Sequence, residues 1–125
     1  MDLKQSLEFN NFLVLGDTTK KEKYAYKIKS SIIRADKNCF CVREDGNSID
    51  DCPFEIDVLD LCINPIRGLE YLKSTKKKFK YVVIQQGASS DDIEKYLSDN
   101  KIEFVNGCLL MAFKVYKEIE VEEND

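Results

Sequence analysis

Short apolar runs alternate with stretches whose apolar residues recur at helical spacing, from Phe12 through the segment "KIEFVNG" that ends at Gly107. "FLVL" (12–15) reads as a first strand. In 22–35, Ala25, Ile28 and Ile32 recur at intervals of three and four with Tyr24 beside them, which predicts a helix. "NCFCVR" (38–43) predicts a second strand and "EIDVLDLCI" (55–63) a third. After Pro65, Ile66, Leu69 and Leu72 describe a short helix, and "FKYVVIQQG" (79–87) is a further strand. "SSDDIEKYLSDN" opens with Ser89 or Ser90 as a cap ahead of Asp91 and Asp92. It sets Ile93, Tyr96 and Leu97 on one helical face. "KIEFVNG" (101–107) is the last strand, and "CLLMAFKVY" (108–116) fits helix and strand equally.

Strands separated by single helices, with runs too continuously apolar for a half-exposed antiparallel sheet, imply a parallel sheet buried on both faces. The expected fold is a three-layer, Rossmann-like α/β domain: a mostly parallel sheet of about five strands with helices on both faces. One domain over 1–117 is expected, followed by an acidic, disordered tail over 118–125. The segment "EDGNSIDDCPF" (44–54) reads as a polar loop holding at best a short edge strand. Gly16, Gly87 and Gly107 each follow a predicted strand directly. Those carboxyl ends are where open α/β sheets bind ligands, although a glycine there also serves a tight strand-to-helix turn.

Charge and composition narrow the chemistry. "MDLKQSLEFNN" is polar throughout and carries no targeting pattern, and no apolar run approaches a membrane span, so a cytoplasmic protein without a membrane partner is expected. A net charge of -4 argues against nucleic acid as a partner. Lysines nevertheless crowd 20–29 and 73–80. The first cluster suits a small anionic ligand, while the second reads as a solvated helix end. With no histidine, Ser-His-Asp and Cys-His catalysis and His-ligated metals are excluded. The five cysteines are odd in number and lack CxxC spacing, which indicates reduced thiols rather than a disulfide framework or a zinc site. Cys39 and Cys41 lie two apart on a strand and share a face, whereas Cys62 and Cys108 read as buried structural thiols. Asp57 and Asp60, three apart on a strand, face opposite ways and cannot act jointly. No recognisable catalytic set emerges, which leans away from an enzyme without deciding the question.

The candidate site is "GDTTKKEKYAY" (16–26). Gly16 lets the chain turn and a ligand approach the backbone. Asp17, Thr18 and Thr19 offer hydroxyls and backbone N–H groups ahead of a helix N-terminus, which favours phosphate, and Lys20, Lys21 and Lys23 add positive charge. The dinucleotide fingerprint needs three glycines, and this loop has one.

These residues resemble the small bacterial CoA-binding proteins, whose Rossmann-like domain also opens the ADP-forming acyl-CoA synthetases and is related to succinyl-CoA ligase. The first loop of that family runs G-A-S-x-x-P-x-K-x-G-Y; Gly16, Thr18, Lys23 and Tyr26 match it. "IDVLDLCINP" resembles the family's "DLVDIFVPP" at Asp57, Asp60 and Pro65, and "IQQGA" (84–88) resembles "LQPGA". "KIEFVNGCLLM" resembles the closing "GIEVV…RCLM" at Cys108. The likeness spans about residues 11–114, and departs from the pattern at Asp17, Ala25, Gln86 and the end of the second strand. It implies a non-catalytic domain binding CoA or an acyl-CoA. In that picture, Gly16, Asp17, Thr18, Thr19, Lys20 and Lys23 hold the pyrophosphate, Tyr24 also belongs to the cofactor-binding set, and Arg43 and Glu44 face the adenosine side. Ile63, Asn64 and Pro65 with Gln86, Gly87 and Ala88 line the opposite wall.

Two alternatives stay open. A carboxylate after the second strand, as at Glu44, is how dinucleotide folds hold the ribose of NAD, while Arg43 suits a ribose phosphate as in NADP or CoA. The protein would then be an NAD(P)-binding redox sensor or small oxidoreductase. The loop departures suit instead a degenerate member acting as a protein-interaction module without ligand. A homodimer or a catalytic protein partner fits any of these readings.

Overall fold

The computed structural model describes residues 2–43 and 46–117. The elements run α1 (Leu3–Ser6), β1 (Asn11–Leu15), α2 (Tyr24–Arg34), β2 (Asn38–Val42), β3 (Ile56–Leu61), α3 (Pro65–Ser74), β4 (Phe79–Ile84), α4 (Asp91–Asp99), β5 (Glu103–Asn106) and α5 (Leu109–Tyr116). The five strands form one sheet in the order β2-β1-β3-β4-β5, and every pairing is parallel. Helices cover both faces, so the expected α/β architecture is the observed one.

Alternation along each strand divides the core in two. Leu13, Leu15, Leu59, Leu61, Val82 and Ile84 pack with Leu72 of α3 and Ile93 and Leu97 of α4. The intervening Phe12, Val14, Val58, Tyr81 and Val83 pack with Ile28 and Ile32 of α2 and Leu110 and Phe113 of α5. Both layers exclude water completely at these strand positions. Full burial of each such side chain contributes about 1.5–3 kcal/mol, which fixes the register, because a slip of one residue would exchange the two faces.

Helix starts follow local chemistry. Asn64 accepts from the N–H groups of Ile66 (2.8 Å) and Arg67, with Pro65 at the first helical position of α3. Ser90 accepts from Ile93 N–H at 3.2 Å, and Asp91, Asp92 and Glu94 lie in the first turn of α4, complementing its dipole.

Several boundaries differ from the sequence expectation. The ambiguous "CLLMAFKVY" is helix α5: Leu109, Leu110, Ala112 and Phe113 are buried, a helical rather than alternating pattern. The polar opening segment forms α1, closed by reciprocal bonds between Asp2 and Gln5, and sends Leu7 fully into the α2/α5 layer. The loop after β2 contains a 3-10 turn, Ile49–Asp51, that buries Ile49 and Cys52. β4 ends at Ile84, so Gly87 lies in the following turn with φ +87° rather than directly after the strand. The tail 118–125 lies outside the described residues.

Candidate functional site

The order β2-β1-β3 means that the chain leaves β1 toward one side of the sheet and leaves β3 toward the other. A crevice therefore opens at their carboxyl ends. Backbone pairing continues past the strands there: Gly16 N–H donates to Val42 O, and Cys62 N–H to Leu15 O, each at 2.9 Å. The main chains are so close that a Cβ on Gly16 would stand 2.5 Å from the Cys62 carbonyl oxygen and 3.2 Å from the Cβ of Ala25. Backbone contact, and not only the turn, requires glycine at this position.

From Gly16 the loop runs to Lys23, and α2 begins at Tyr24, where no side chain caps the exposed N–H groups. Asp17 does not stand free at the mouth. Its carboxylate accepts from the Thr19 N–H at 3.0 Å and the Thr19 hydroxyl at 2.6 Å, with Lys20 Nζ at 4.0 Å. The Thr19 hydrogen bonds, hydroxyl first, hold its carboxyl below the ordinary range. The Asp17 charge is thus engaged inside its own loop.

A cavity of about 610 Å³ occupies the crevice, lined by Gly16, Asp17, Lys20, Lys23, Tyr24, Ala25, Arg43, Cys62 and Ile63. Lys20 and Lys23 come from the loop, Tyr24 and Ala25 from the start of α2, Arg43 from the end of β2, and Cys62 and Ile63 from the end of β3. Tyr71 of α3 steadies the Arg43 backbone by donating its hydroxyl to the Arg43 carbonyl at 2.9 Å. Three cations and one internally bonded carboxylate around a glycine floor can hold an anion of several charges. These residues fit the phosphates of a nucleotide cofactor.

The remaining predicted residues are placed elsewhere. Thr18 is 5% exposed, lying below the loop rather than in the cavity, and Thr19 is exposed and bonded to Asp17. Asn64 caps α3. Pro65 lines a separate groove with Ile66, Leu69, Glu70, Lys73, Ser90 and Asp92. Gln86 and Gly87 line a recess of about 450 Å³ at the ends of β4 and β5 with Gln85, Asn106 and Cys108, while Ala88 is buried in the core. Glu44 lies outside the described residues. Cys62 and Cys108 are half-buried rather than fully buried. Burial first, and then the neighbouring Asp60, push the Cys62 thiol up to about 12, so it stays protonated.

Two groups beneath the site carry more than the sequence suggested. Asp57 does face away from Asp60: it accepts from Asn11 N–H at 3.1 Å and pairs with Lys80 at 3.1 Å. Asp60, between Val14 and Val83 on the adjoining strands, is fully buried, and neither carboxyl oxygen has a hydrogen-bond partner. Burial drives its proton affinity well above that of an ordinary carboxyl. Gln85 was not singled out from sequence. It is buried, and its Oε1 accepts from the Leu109 N–H at 3.0 Å, closing the start of α5. Its position next to a strand end was the only available signal. Among the described residues, no group of three or more His, Cys, Asp or Glu side chains is arranged to hold a metal, and no helix is long and apolar enough to cross a membrane.

Fold and crevice define a Rossmann-like α/β domain of the nucleotide-binding kind. Residues 10–114 match the family described as CoA binding domain, and the chain belongs to that family. Among solved structures it is similar to Prb, described as the PH1109 protein redesigned for binding. That likeness has a TM-score of 0.75 and 18% identity over 90% of this chain and 88% of the other, and so concerns the fold. A second structure, of an uncharacterised protein, has a TM-score of 0.67 and 25% identity over 90% and 98% of the two chains. No curated protein matches.

Proposed function

We propose that the protein is a non-catalytic binding domain for CoA or an acyl-CoA, with the pyrophosphate held at the loop Gly16–Lys23. The observation that carries this reading is the convergence of Lys20, Lys23 and Arg43 on a cavity floored by Gly16. CoA needs several phosphate charges neutralised at one end and a path for a long, weakly charged arm at the other. Backbone N–H groups of the loop and of the uncapped first turn of α2 serve the pyrophosphate, with Lys20 and Lys23 adding charge. Arg43, at the end of β2, suits the ribose phosphate, and its planar guanidinium can bind two phosphate oxygens at once. Tyr24, 62% exposed at the cavity rim, offers a face on which an adenine ring can stack. Ile63 begins the wall along which the pantetheine arm would leave.

The reading is tested by titration calorimetry of CoA into the protein and into the variants Lys23→Ala and Arg43→Ala. A lost charge-assisted hydrogen bond costs about 1.5–3 kcal/mol, so each variant is expected to bind at least about tenfold more weakly. Arg43→Ala should weaken CoA more than dephospho-CoA, which lacks the ribose phosphate. Unchanged affinity in Lys23→Ala would remove the loop from the site, and equal losses for both ligands in Arg43→Ala would unseat Arg43 from the ribose phosphate.

A further inference from the structure

Cys39 and Cys41 project from the same side of β2, and their sulfur atoms stand 3.9 Å apart. We propose that they form a redox-active dithiol that low-molecular-weight disulfides convert reversibly to an intrastrand disulfide. The reading is independent of which ligand the cavity takes.

The two thiols differ as a nucleophile and its resolving partner must. Cys41 is held down to about 6 by the hydrogen bond from Cys39, by that from the Thr18 hydroxyl and by the positive charge of Lys29, against the opposing effect of burial. That shift favours the thiolate, the reactive form. The hydrogen bond with Cys41 first, and then partial burial, push the Cys39 thiol well up, so it keeps its proton. Both residues remain half-buried rather than sealed. Cys62, by contrast, keeps its proton and is no competitor.

The Cys41 thiolate attacks one sulfur of RSSR, forming Cys41–S–S–R and releasing RS⁻. Cys39 gives up its proton, attacks the Cys41 sulfur and expels the second RS⁻. The Cys39 proton and one from solvent complete two RSH. The protein dithiol is oxidised by two electrons, and RSSR is reduced by the same two.

Strand geometry predicts a labile bond. Two residues of an extended strand span roughly 6.6 Å between Cα atoms, near the upper end of the 4.4–6.8 Å range that disulfides usually tolerate. Closure therefore has to pucker β2. The strand can do so because, among the described residues, it is the outer strand of the sheet and pairs only with β1. Strained disulfides are readily reduced, and such bonds are the regulatory ones.

The test equilibrates the whole protein in graded mixtures of reduced and oxidised glutathione, blocks free thiols by alkylation and digests with trypsin. Cleavage after Lys37 and Arg43 isolates Asn38–Arg43, which holds both of these cysteines and no other. The expected product is that peptide unalkylated and lighter by two hydrogen atoms in oxidising mixtures, and doubly alkylated in reducing ones. Cys39→Ser should accumulate a glutathione adduct on Cys41, and Cys41→Ser should leave Cys39 unmodified. Double alkylation at every ratio, a persistent glutathione adduct on the unaltered protein, or ready reaction of Cys39 in Cys41→Ser would each overturn the proposal.

Discussion

Asp60 is the residue where local chemistry and fold conflict most sharply. It sits one residue before the end of the buried parallel strand β3, with both carboxyl oxygens unpartnered. Burying a polar group without a partner costs about 1–3 kcal/mol, and ionising it there costs more. Its folded-state proton affinity is raised, so the folded protein holds more protons than the unfolded chain above the ordinary carboxyl pKa near about 3.9. The favourable contribution of the neutral acid is complete below that value. It is lost as pH rises toward the folded-state value, at no more than about 1.4 kcal/mol per pH unit. Asp60→Asn fills the same space and does not titrate. Its stability relative to the parent should therefore rise steadily with pH, as measured by urea midpoints between about pH 4.5 and pH 8. Parallel profiles would mean that the proton affinity of Asp60 is not raised by its burial. The sequence located Asp60 on a strand face opposite Asp57, and that was correct. Its isolation was not legible, because Val14 and Val83 come from strands remote in sequence. The same holds for Gly16: the turn could be read from the chain, but the contact with the Cys62 carbonyl could not.

At the scale of elements, continuous apolar runs located the strands, and periodicity located the helices with one buried face. Neither signal sufficed where a helix is apolar nearly all round or where the evidence was a single contact. "CLLMAFKVY" has apolar residues at nearly every position, so neither period stands out in it. Its first turn is anchored by Gln85, which lies just past β4 and accepts from the Leu109 N–H. Gln85→Leu would keep the volume but leave that amide buried and unpaired. A loss of about 1–3 kcal/mol is expected in chemical denaturation, with the amides at the start of α5 exchanging faster in hydrogen exchange. A change of global stability without faster exchange at Leu109 and its neighbours would assign Gln85 a packing role instead. α1 was missed because its only apolar anchors, Leu3 and Leu7, flank a polar stretch whose capping pair, Asp2 and Gln5, reads as loop composition.

At the scale of the molecule, an α/β sandwich was legible because parallel strands buried on both faces leave continuous apolar runs. The strand order was not, since no local pattern says that β3 rather than β2 continues the sheet beyond β1. That order creates the crevice and brings Arg43, just past β2, to the same cavity as Lys20 and Lys23. Loop chemistry singled out the lysines, and the resemblance to CoA-binding proteins supplied the ligand. The fold then separated the named residues into those at the cavity and those, such as Asn64 and Ala88, that shape helix and core. Membership of the CoA-binding domain family is established by the match over residues 10–114. Occupancy of this particular cavity is the claim on which the functional account depends. The direct measurement is thermal unfolding of the unaltered protein with CoA, acetyl-CoA, NAD and NADP, each over a concentration series. Stabilisation that grows with CoA or acetyl-CoA, reaching about 2.7 kcal/mol at a hundred times the dissociation constant, and that exceeds any effect of NAD or NADP, is the predicted result. Stabilisation by NAD or NADP in preference to CoA, or by none of the four, would contradict it.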